Sequence, residues 1–151
     1  MTDAIRSKLP TAARLLLGLV FLVFGLNGFL QFLPQPPLPA AGGAFMGALA
    51  ATGYMFPLIK GTEVVAGLLL LGGRFVPLAL VLLAPVIVNI ALFHVVLAPV
   101  NMIMVVVLLA LEVYLAWAYR DAFTGVLQAH ARPTAAPGRT AVMRPATLSA
   151  R

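Results

Sequence analysis

The chain contains no cysteine. That excludes disulfides, thiol redox relays and Cys-ligated zinc or iron–sulfur sites within it. Charge is also scarce. Only 9% of the 151 residues are charged, against roughly 25% in a soluble globular domain. An ordinary water-soluble protein is excluded on that ground. Histidine is scarcer still, with two in the sequence, and only His94 lies within an apolar run. A self-contained transition-metal site or a bis-His haem is therefore not expected, and no residue is assigned to a metal.

What is present is apolar. The hydrophobic fraction is 62%, and the apolar residues fall into long runs. A bilayer-spanning helix needs about 20 such residues. The runs predict an all-α, integral membrane four-helix bundle with spans at about 13–33, 54–71, 75–97 and 100–119, forming one domain over 13–119. Residues 1–12 precede it and an outer loop, 34–53, follows the first span. Pro34–Pro39 ends that span, because proline removes a backbone donor. Ala44–Ala51 is too short to cross, and is expected along the interface or tucked between helices. Gly72 and Gly73 close the second span, and Pro85 predicts a kink in the third. The basic segment 120–151 is predicted to be a disordered tail, having too little apolar periodicity to fold. The start resembles a signal peptide, but its apolar stretch outruns a 7–15-residue h-region, so it is read as a retained helix.

Net charge is +6, yet the positions speak of topology rather than nucleic acid. Arg6, Lys8 and Arg14 precede or begin the first span. Arg74 lies between the second and third, and Arg120, Arg132, Arg139, Arg144 and Arg151 follow the fourth. The other two connections, Gln35–Gly53 and Ala98–Pro99, carry no charge. The positive-inside rule then predicts both termini in the cytoplasm. Tyr54, Trp117 and Tyr119 fall near span ends, where amphipathic aromatics sit.

Six polar side chains interrupt the spans: Asn27, Lys60, Glu63, Asn89, His94 and Glu112. Intramembrane ionisable groups are costly and usually face the bundle interior or a wet cavity. Counting about 1.5 Å per residue puts all six in the outer half, with Glu63 roughly 12–14 Å deep and Glu112 roughly 15–18 Å deep. They are the candidate ligand-binding or proton-carrying residues; no catalytic residue is assigned. Lys60 and Glu63 are three apart on one helix face and are expected to pair, as a structural ion pair or as a switchable carboxylate beside a cation. Glu112 has no cation within a turn of its own helix. Unless Lys60 reaches it, a buried carboxyl there favours its neutral form. Asn27 and Asn89 read first as interhelical hydrogen bonders, and Asn27 shares a face with Gln31. Asn89 and His94 stand about 140° apart on a straight helix, so both need not point inward.

Several pieces resemble the DoxX family of small bacterial membrane proteins. They are Gly25-Leu-Asn-Gly-Phe29, the run from Gly61 to Gly72 with Glu63 and its glycines, Phe75–Leu80, and Pro85–His94 with Pro99. The resemblance spans about residues 13–119. It implies a four-helix, multi-pass protein of the bacterial plasma (inner) membrane. It also implies a link to quinone-dependent sulfur oxidation or oxidative-stress complexes. The expectation is an accessory or quinone-interacting subunit of a membrane redox system, with no covalently bound cofactor and quinone as the lipid-soluble ligand. Its partners are then the lipid bilayer and a redox protein or further copies of itself, with no nucleic acid. The alternatives are an assembly factor whose polar cluster is purely structural, and a small proton-coupled transporter using Lys60, Glu63 and Glu112.

Overall fold

The computed structural model describes residues 2–34 and 37–130, with side chains from Lys8 onward. Among these residues the protein is entirely helical. It comprises α1 (Thr2–Leu30), α2 (Ala40–Ala51), α3 (Met55–Gly72), α4 (Val76–Leu92) and α5 (Met102–Ala118). A π-helical turn, Phe93–Leu97, continues α4, and a 3-10 turn, Arg120–Phe123, follows α5. Three stretches are long and apolar enough to cross a membrane: Lys8–Leu30, Met55–Gly72 and Val76–Leu97. The equally apolar α5 stops at 17 residues. The disorder expected of the tail concerns mostly residues 131–151, which lie outside those described.

Among the described residues five α-helices form where four were expected. The addition is α2, inside the expected outer loop. Its residues are almost all alanine and glycine with one Phe-Met pair, and alanine is the strongest helix former. Pro39 stands at its N-cap with φ −55°, pre-set to precede a helix. The first span also shifts. Helix α1 begins at Thr2, taking in most of the expected leading segment, and ends three residues before 33. It stops because Gln31 turns into the left-handed region at φ 49°. Asn27 then accepts a hydrogen bond on Oδ1 from the Leu33 N–H at 2.7 Å. Gln31 is consequently exposed and off the helix, not on a shared face with Asn27.

The helices form a ring in the order α1, α3, α4, α5, with α1 and α3 packed along the greatest length. Their register is antiparallel: Gly18 faces Gly67 and Leu70, Gly25 faces Val64, and Gly28 faces Lys60. Glycines let two helix backbones approach closely. The turn from α3 to α4 uses Gly73 at φ 66°. The Gly73 and Arg74 N–H groups reach back to Leu70 and Leu69 carbonyls, satisfying acceptors that a helix end would otherwise orphan. Arg14 reaches across from α1 and donates to the Leu70 and Leu71 carbonyls at the same end. The centre of the ring is filled by Leu17, Leu70, Leu80, Leu83, Ile87 and Leu115, all fully buried. Large apolar side chains also cover the outside, among them Leu19, Leu68, Leu78, Val81, Ile103 and Val113. A soluble monomer rarely exposes so continuous an apolar surface.

Candidate functional site

A groove of about 370 Å³ opens between α2, α3 and the α4–π-turn helix. Ligand pockets begin at about this size. Helix α2 supplies Phe45, Met46 and Leu49. Helix α3 supplies Phe56, Lys60 and Glu63, and the third wall carries Asn89, Phe93 and His94. The walls are therefore mainly aromatic and aliphatic, with four polar side chains converging on them.

The floor is an ion pair. Lys60 Nζ donates to Glu63 Oε2 at 2.8 Å and Oε1 at 3.1 Å. The two side chains are 19% and 3% exposed, so the carboxylate is interior and the ammonium faces the opening. An ammonium carries three donors, which leaves Lys60 capacity for a ligand. Its Nζ also stands 5.9 Å from the Phe56 ring centroid, within reach of a cation–π attraction. The aliphatic stem of Lys60 lies against Gly28 of α1, where a Cβ would collide with Cγ and Cδ. Gly28 thus makes the space that lets a lysine enter the bundle.

The opposite wall is set by the end of α4. His94 Nδ1 lies 2.8 Å from the Ile90 carbonyl, and its ring meets Phe93 edge-on at 5.4 Å. Phe93 in turn stacks, tilted, on Phe45 of α2 at 5.8 Å. Gly42 sits beneath, where a Cβ would touch Phe93 and Ala98. This aromatic chain ties α2 to the π-helical turn and closes one side of the groove. Irregular π turns inside helices recur at functional sites.

Asn89 and His94 both line the groove despite their angular separation. The groove takes in a broad face of α4 that also includes Val86, Ile90 and Phe93. His94 stands in the π turn, where the straight-helix angle no longer applies. Asn89 is exposed and makes no side-chain hydrogen bond among the described residues. It is not the interhelical bridge that a membrane asparagine first implies.

The groove takes in four of the six polar residues, and Asn27 and Glu112 are not among its lining. Asn27 is 3% exposed, and its side-chain oxygen is occupied by the Leu33 N–H. Glu112 is 8% exposed and does not line the groove. Its helix packs between α4 and α1, and Oε2 has no hydrogen-bond partner among the described residues. Lys60 is engaged with Glu63, not Glu112. Depth and helical phase assign a residue to a level and a face. They do not say which neighbours that face meets in the bundle. Sequence reasoning also missed the aromatic walls. The only signal for them was the Phe45-Met46 pair standing alone in an Ala/Gly segment.

The chain matches no protein-family model, no curated protein and no solved structure.

Proposed function

We propose that this protein is a multi-pass protein of the bacterial plasma membrane, of DoxX type, whose groove receives the head of an isoprenoid quinone. In this reading α1, α3, α4 with its π turn, and α5 cross the bilayer as a four-helix bundle with both termini cytoplasmic. The protein serves as an accessory or quinone-interacting subunit of a membrane redox or oxidative-stress system. Up-and-down packing supports the topology. Arg14, the Arg74 turn and Arg120 all belong to one end of the ring, while α2 and the uncharged connections belong to the other. Basic residues collect on the cytoplasmic side.

The observation that carries the ligand reading is the groove itself. Phe45, Phe56 and Phe93 supply flat apolar surface for a ring and the start of a tail. Lys60 and Asn89 supply donors for ring carbonyls. A pocket that is mostly apolar with a few convergent polar groups is what binds such a molecule. The carrier alternative draws less support, since Glu112 neither lines the groove nor pairs with Lys60 among the described residues. The lack of cysteine means that any thiol chemistry of such a system belongs to a partner.

The test uses the full chain in lipid nanodiscs and an azido-quinone photoprobe. Label is expected within Phe45–Leu49 and Asn89–His94, and should be displaced by excess unlabelled quinone. Label confined to the outer face of α5, or indifferent to competitor, would overturn the reading.

A further inference from the structure

We infer that the groove prefers the hydroquinone form of its ligand, and that His94 sets the preference. This rests on the quinone reading above. A carbonyl oxygen can only accept, so the 2.8 Å contact of His94 with Ile90 O requires the proton on Nδ1. In the neutral imidazole, Nε2 then carries a lone pair and no proton. The Ile90 carbonyl and the edge contact with Phe93 fix the orientation of the ring from two directions. In that neutral tautomer the nitrogen left for a ligand is an acceptor. Lys60 in the same groove is a donor only, and the Asn89 amide offers both roles.

This set discriminates between redox forms of one ring. A hydroquinone hydroxyl donates to Nε2 while its oxygens accept from Lys60 or Asn89. A quinone has two carbonyls and no proton to give. Against Nε2 it sets acceptor on acceptor, leaving a desolvated lone pair unmatched. Sites built to receive a hydroxyl reject the analogue that lacks it for this reason. Glu63 is kept from this role by burial, its side chain being 3% exposed and paired with Lys60. No electron transfer is needed for the preference. It is a difference of two affinities.

The experiment measures anaerobic binding of a short-tail benzoquinone and its hydroquinone to the full chain in nanodiscs. The hydroquinone should bind about tenfold more tightly, the worth of one matched hydrogen bond. His94→Phe keeps an aromatic ring against Phe93 but removes the acceptor. The two forms should then bind within about twofold of each other. His94→Gln, whose amide oxygen can accept, should restore part of the ratio. Equal affinities in the unaltered protein would overturn this inference while leaving the quinone site standing. A preference that survives His94→Phe would overturn the role of His94. If neither form binds, the quinone reading falls and this inference with it.

Discussion

Gly67 of α3 lies so close to α1 that a Cβ there would stand 2.7 Å from the backbone nitrogen of Leu22. It would also stand 2.9 Å from the Gly18 carbonyl oxygen. Both neighbours are backbone, so neither can rotate away. Gly67→Ala should therefore push α1 and α3 apart and cost about 1–3 kcal/mol, as overpacking does. Gly61→Ala is the control, because nothing lies within 4 Å of a Cβ there. Denaturant unfolding in detergent should separate the two variants clearly. Equal stabilities would mean that the helices do not approach at this point.

The Lys60–Glu63 pair gives an ordering of variants. Lys60→Met keeps the aliphatic stem against Gly28 and leaves the 3%-exposed Glu63 side chain without its cation. Removing one partner of a buried pair costs about 3 kcal/mol or more. Lys60→Met combined with Glu63→Gln should recover much of that loss, because no stranded charge remains. The double variant should unfold at higher denaturant than the single one. A double variant weaker than the single would mean that the carboxylate is held by something other than Lys60.

Glu112 is buried with an oxygen that bonds to nothing among the described residues. An apolar side chain of similar length relieves that burden. Glu112→Met should raise stability by about 1–2 kcal/mol, since an unmatched buried polar group costs that much. Glu112→Gln should stay close to the unaltered protein. Equilibrium unfolding of the three proteins side by side tests this. A Glu112→Met protein that is markedly less stable would reveal a polar partner for the carboxyl.

Topology can be read chemically because the chain has no cysteine of its own. Ala51→Cys lies at the exposed end of α2, and Ala122→Cys in the exposed turn after α5. With both termini cytoplasmic, a membrane-impermeant maleimide added to intact cells should label Ala51→Cys and spare Ala122→Cys. The reverse pattern would invert the orientation.

The sequence alone determined the helical class, the main apolar runs and the pairing of Lys60 with Glu63. Those properties are local. Apolar run length, glycine and proline punctuation, and a three-residue spacing on a helix do not depend on what the helix packs against. Tertiary structure decided what lies opposite what. It placed α2 over α3 and the π turn, turning a loop with a Phe-Met pair into a wall of the groove. It gave Asn27 to the Leu33 N–H, and brought Lys60, Glu63, Asn89 and His94 to one groove that Glu112 does not line. The physical reason is that depth and helical phase are one-helix coordinates. A site in a bundle needs the azimuth of each helix relative to its neighbours, and here that is set by glycine contacts such as Gly67 against Leu22, which no single run of residues reveals.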